Sequence, residues 1–233
     1  MASLTLRKNL YGLAALSAWT GFALSFVIEL FGLVKPDPAV APTSHTQFGY
    51  IGDYASGLAG GPERLIDLLS YFTIWSQVVV GIVMTILFRN PAANSRKLQV
   101  LFIDALLMIT VTGVVYNLLI GPKYPPQGLN QISSPIEHSL TPLLTVLIFL
   151  FIGPRGWFNG KNIVRALLLP ILFVFYTLIR GAIVNKYPYD FFDVGASGYA
   201  FVITFVMGIL LASIIVLAMY WGIDRALSRK SSE

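Results

Sequence analysis

The chain has 233 residues, 56% of them hydrophobic and 12% charged, with a formal net charge of +5 and no cysteine. The missing cysteines exclude disulfides, thiolate metal sites and a Cys nucleophile. The positive charge follows the distribution of apolar segments described next, so it implies membrane orientation and no nucleic-acid partner.

Six apolar runs cover approximately residues 9–33, 65–88, 98–121, 135–152, 163–184 and 198–223. Each reaches or approaches the roughly 20 residues that a helix needs to cross a hydrocarbon layer about 30 Å thick. Backbone polar groups must be paired internally in lipid, which makes such spans helices. The expected fold is therefore all-α, a single polytopic bundle of six transmembrane helices occupying 1–233, with no internal repeat of the kind that builds many secondary transporters. Eleven Lys and Arg residues fall at the N-terminus, in loops 2–3 and 4–5 and in the C-terminal tail, against five on the other side. With the acidic residues this gives +8 and −3, which predicts both termini in the cytoplasm and a cell-membrane location.

In chain order, the first run follows Arg7 and Lys8 and precedes Ala39-Val40-Ala41, imitating a secretory signal, but it exceeds the h-region length of about 7 to 15 residues and reads as a retained helix. Glu29 near its outer end is expected to be solvated at the interface. Loop 1–2, from Val34 to Arg64, contains five glycines and four prolines and is the one loop long enough to act as a lid. It also holds His45, which forms no metal-ligand spacing with the other histidine, His138; no metal or cofactor is expected. On helix 2, Thr73, Ser76 and Gln77 stand at i, i+3 and i+4 and share a face. They could line a pocket or simply hydrogen-bond to neighbouring helices.

Asp104 on helix 3 lies about two turns from the inner end, where it would reach the interface or pair with Arg96 or Lys97. Ser134-Pro135-Ile136-Glu137 reads as the start of helix 4, with Ser134 as N-cap, Pro135 at the first helical position and Glu137 completing a capping box. His138 then falls in the first turn, either as a base or as an ordinary wet interfacial residue. Arg165 can snorkel at the inner end of helix 5. Arg180 at the outer end could neutralise Glu137, Asp190 or Asp193, or hold a lipid headgroup. Tyr187 and Tyr189 leave the membrane next, as interfacial anchors or as walls for a lipid tail. Asp67, Thr73, Ser76, Gln77, Asn117, Glu137, His138, Thr141, Arg180, Tyr187, Tyr189 and Asp190 all fall toward one leaflet, so several should meet in a polar pocket that opens outward.

The stretches Tyr71-Phe72-Thr73-Ile74-Trp75-Ser76-Gln77, His138-Ser139-Leu140-Thr141-Pro142 and Tyr187-Pro188-Tyr189-Asp190-Phe191-Phe192-Asp193-Val194, with Gly198-Tyr199, resemble the prokaryotic branch of the six-helix membrane family related to the androgen-induced and androgen-dependent hydrolases. The likeness covers helices 2 to 6. In animal members a threonine on an early helix is the nucleophile and a histidine on a later helix activates it, cleaving fatty acid esters of hydroxy fatty acids. The resemblance places those roles on Thr73 and His138, although the interval from His138 to Pro142 is one residue shorter than in the animal members.

The residues are chemically suited to that role. A threonine hydroxyl becomes nucleophilic when an imidazole within roughly 2.6 to 3.2 Å removes its proton. Asn117, Gln77 or Arg180 could donate to the oxyanion, and Asp190 or Glu137 could orient the imidazole. These readings imply a hydrolase of lipid esters whose partners are membrane lipids and an amphiphilic fatty acid ester. The alternative is a non-enzymatic protein that binds or transports a small lipophile; a third is a structural bundle. One geometric tension stands: a helix starting at Leu65 buries Thr73 about 12 Å along its axis, whereas His138 would lie at the very start of helix 4. The two meet only if helix 2 projects from the membrane or helix 4 begins recessed within it.

Overall fold

The computed structural model describes residues 3–34 and 54–230. The expected lid glycines and prolines between 35 and 53, with His45, lie outside the described residues. The rest is helical: α1 (Leu4–Phe31), α2 (Gly61–Leu68), α3 (Phe72–Arg89), α4 (Arg96–Val115), α5 (Asn130–Pro135), α6 (Thr141–Phe151), α7 (Gly160–Ala166), α8 (Leu168–Val184) and α9 (Val194–Lys230). Two π-helical turns, Tyr116–Ile120 and Ile136–Leu140, extend α4 and join α5 to α6. Six stretches among the described residues are long and apolar enough to cross a membrane, as the hydropathy pattern predicts.

Short polar residues set several boundaries. Ser3 and Ser95 cap α1 and α4 by accepting the Leu6 and Leu98 N–H groups, and Gly32 closes α1 in the left-handed conformation at φ 59°. Arg64 completes that end, its guanidinium donating to the carbonyls of Glu29, Leu30, Ala55 and Gly57. Four of the carbonyl groups around the α1 terminus are thus satisfied by one side chain.

Glycines on both helices bring α1 close to α3: a Cβ at Gly12 of α1 would lie 2.9 Å from the Phe88 ring of α3. A Cβ at Gly81 would lie 2.7 Å from the Trp19 ring, and Trp19 in turn donates its indole N–H to Thr85 at 3.0 Å. α4 is the central helix, with Phe102, Ile103 and Ala105 to Ile109 all buried. The larger apolar core gathers Tyr11, Met84, Phe102, Phe149, Trp157 and Tyr220; a smaller one at the opposite end joins Ile120, Phe173, Tyr189, Phe192 and Val202. Asp224 holds the α6–α7 connection by accepting the N–H groups of Gly156 and Phe158 at 3.0 and 3.2 Å.

Three expectations need correction. The second apolar run is two helices, broken at Leu69 to Tyr71, so its membrane helix begins at Phe72 rather than Leu65. The fourth begins at Asn130, which places Ser134 inside a helix: its hydroxyl caps nothing, and Glu137 turns toward Ser25 at 2.6 Å. Asp104 is 2% exposed, with Oδ1 lacking a hydrogen-bond partner, so it reaches neither the interface nor Arg96 and Lys97. The sixth run kinks at Gly198, which is left-handed at φ 74°.

Candidate active site

The two boundary corrections remove the geometric tension between Thr73 and His138. Because α3 starts at Phe72, Thr73 occupies its first turn; because α5 starts at Asn130, His138 lies about two turns into its span. Their side chains meet, with Thr73 Oγ1 3.1 Å from His138 Nε2.

The other ring nitrogen fixes the tautomer. His138 Nδ1 lies 3.0 Å from the carbonyl oxygen of Ser134, which can only accept, so Nδ1 carries the proton and Nε2 presents a lone pair to Thr73. Ser134 Oγ, 3.1 Å from the same nitrogen, donates its own hydrogen to the Tyr116 hydroxyl at 2.6 Å and is free to accept from Nδ1. Tyr116 stacks on the imidazole, ring centroids 3.5 Å apart and planes 15° from parallel. Both stacked residues therefore sit in π-helical turns, a local widening that recurs at functional sites.

The π turn around His138 is held open by side chains from two other helices. Pro142 has no N–H to give the carbonyl four residues earlier, so the His138 oxygen is left open. Asn117 Nδ2 fills it at 2.8 Å, while also donating to Gly113 O. Thr141 N–H bonds to Ile136, leaving the Glu137 carbonyl open, and Gln77 Nε2 fills that one at 2.9 Å. Gly113 permits the contact, since a Cβ there would lie 3.0 Å from the Pro142 ring. Ser76 bonds to the Thr73 carbonyl and to Thr112 at 2.8 Å each, fixing the turn below the Thr73 hydroxyl.

An apolar cavity of about 80 Å³ opens beside this pair, lined by Thr73 and Tyr116, by Leu107, Val111 and Val115 of α4, by Phe173 and Val174 of α8, and by Ile209 and Ser213 of α9. It exceeds several-fold the roughly 10–15 Å³ that one water occupies by the same measure. Tyr189, Phe191 and Phe192 close the end outside the helices.

The remaining sequence candidates have other attachments. Glu137 is buried against α1, bonded to Ser25 and packed where a Cβ at Gly21 would lie 2.8 Å from its Cγ, so it does not orient His138. Asp190 bonds to Lys123 and Tyr124, each at 2.5 Å, tethering the Tyr187 to Val194 loop to the loop after α4. Arg180 pairs with Asp67 and donates to Ser70, and meets none of Glu137, Asp190 and Asp193. Asn117, Gln77 and Arg180, the expected oxyanion donors, are thus engaged elsewhere. Tyr187 packs its ring onto Gly181 and is absent from the cavity wall, whereas Tyr189 is part of that wall. Sequence reasoning read Ser134 only as a cap and missed Tyr116. The Tyr116-Asn117 pair at the end of the third run was the available signal.

No family profile, curated protein or solved structure matches the chain.

Proposed function

We propose that this chain is a membrane-embedded hydrolase of lipid esters in which Thr73 is the nucleophile and His138 its base. The observation that carries the reading is the 3.1 Å approach of Thr73 Oγ1 to His138 Nε2 at the wall of an apolar cavity. The Nδ1 contact to a main-chain carbonyl leaves Nε2 as the acceptor that proton removal requires.

In this reading the acyl chain of an amphiphilic ester lies in the cavity, arriving from the bilayer, and its carbonyl carbon faces Thr73. Thr73 Oγ bonds to that carbon as its proton passes to His138 Nε2, and the carbonyl electron pair moves onto oxygen. Collapse expels the alcohol, which takes the proton from His138. Water then repeats the sequence on the acyl-threonine, releasing the fatty acid and restoring both side chains. The family resemblance points the same way. The Lys and Arg distribution supports a cell-membrane protein with both termini in the cytoplasm and this site toward the outer leaflet.

The test is labelling of the detergent-solubilised protein with an alkyl fluorophosphonate, the modified residue located by peptide mass spectrometry. Thr73 should carry the adduct, and Thr73→Ala and His138→Ala should each abolish it while remaining folded by size-exclusion chromatography. Undiminished labelling in either folded variant rejects the pair. The second reading, a protein that binds or moves a lipophile, draws on the predominantly apolar cavity wall; it requires lipid binding or flux that survives Thr73→Val with no ester turnover in the parent.

A further inference from the structure

A hydroxyl and a base generate an oxyanion, and the donors expected to receive it are engaged elsewhere. The first turn of α3 offers others. The first N–H groups of a helix have no intrahelical acceptor, and here Ile74 N–H is satisfied by the Tyr71 carbonyl at 3.1 Å, while Phe72 N–H donates to the Tyr189 hydroxyl at 2.9 Å. That phenol oxygen therefore acts as an acceptor, and its own hydrogen must point away from Phe72. Thr73, the next residue, lines the same cavity wall as Tyr189.

Tyr189 is held rigidly in this place. It is 6% exposed, stacks on Phe191 at 5.0 Å and 5° between planes, and meets Tyr71 edge-on at 5.9 Å. Burial raises the phenol above its ordinary range, so it stays protonated and able to donate at neutral pH. Its packing comes from a loop 117 residues away in sequence from Phe72, so the contact is made by the fold and not by helix geometry alone.

We infer that the Tyr189 hydroxyl is the oxyanion donor of this site: it lines the same cavity as Thr73 and accepts from Phe72 N–H, which leaves its own proton to be donated elsewhere. As Thr73 Oγ bonds to the carbonyl carbon and its proton goes to His138, the displaced π pair settles on an oxygen facing the Tyr189 hydroxyl. On collapse the pair returns to the carbon–oxygen double bond and the hydrogen bond weakens. The phenol keeps its proton. A donor that strengthens its bond only as charge develops raises kcat and leaves substrate affinity nearly untouched.

The inference rests on the proposed hydrolase reading, and the experiment separates the two. Parent protein in micelles is assayed with p-nitrophenyl decanoate and inhibited with octylboronic acid, whose tetrahedral adduct on threonine mimics the oxyanion. If the parent neither turns over the ester nor labels at Thr73, the hydrolase reading fails. If it does both, Tyr189→Phe, which keeps the ring, should lower kcat by about 10²–10³ and weaken octylboronate comparably, with KM nearly unchanged. Unchanged kcat and inhibition, or a rise confined to KM, overturns the inference. Should Tyr189→Phe fail to fold, 3,5-difluorotyrosine at the same position keeps the hydroxyl but acidifies it. The alkaline limb of kcat must then move to lower pH; an unmoved limb also overturns the assignment.

Discussion

Arg180 provides the sharpest separation between a structural role and a ligand-binding one. Its guanidinium, 14% exposed, pairs with Asp67, whose carboxylate is 1% exposed, and donates to Ser70 Oγ at 3.0 Å. Tyr54 joins the cluster: burial, with the Asp67 carboxylate beside it, pushes its phenol up to about 12. Arg180→Met removes one side of the buried pair and Asp67→Leu the other; breaking one partner of a buried pair costs about 3–5 kcal/mol. Against a total stability of roughly 5–15 kcal/mol, that is a large loss. The double variant removes both charges and should recover most of it, because replacing a buried pair by apolar residues is often close to neutral. The assay is a double-mutant cycle of thermal unfolding in a fixed detergent, with ester turnover measured on the surviving fold. Arg180→Met with parental stability and a raised KM for anionic lipid esters would refute the clamp and place Arg180 at a substrate headgroup. Additive single effects would refute the pairing itself.

Glu137→Gln should leave the rate of fluorophosphonate labelling near the parental rate, because that carboxyl bonds to Ser25 and not to the imidazole; loss of a true orienting acid costs about 10⁴ in kcat, which stopped-flow labelling would reveal. Gly181→Ala puts a methyl group into the Tyr187 ring, so the loop must shift, and we expect about 1–3 kcal/mol of destabilisation in thermal unfolding. Val111→Trp fills the apolar cavity: kcat/KM for p-nitrophenyl decanoate should fall about 10- to 200-fold relative to p-nitrophenyl acetate, measured side by side.

The spans themselves were legible, because each needs only length and apolarity, and both survive in a one-dimensional reading. Their ends were not. The run from Leu65 to Phe88 has no proline or glycine near Leu69 to Tyr71, and the break there is bordered by long-range bonds, from Arg180 to Ser70 and from Phe72 N–H to Tyr189. Ser134-Pro135-Ile136-Glu137 has the spacing of a capping box, yet the chain turns earlier, at Gly128 with φ 53°, and the Ser134 hydroxyl finds Tyr116 instead. The pairing of Thr73 with His138 was suggested by family resemblance; the two helix starts that make the contact were both misplaced in the sequence reading. Arg180 could be assigned a countercharge but not the right one, since Asp67 is 113 residues distant and the three candidates, Glu137, Asp190 and Asp193, all lie nearer in sequence.

The use of a main-chain carbonyl behind His138 follows from where the site sits. A carboxylate placed at membrane depth would need its own countercharge and donors, or it would be costly to keep ionised. The Ser134 carbonyl is neutral, already paid for by folding, and lies four residues before His138, where α5 runs into the π turn. That turn leaves carbonyls without helical donors at Glu137 and His138, and Gln77 and Asn117 supply them from α3 and from the extension of α4. The same α3 carries Thr73, four residues before Gln77, so the side chain that satisfies the turn also locks the register between hydroxyl and imidazole. A proline that frees one carbonyl, and two amides that fill the gaps, thereby position the Thr73–His138 contact without placing an unpaired charge beside it.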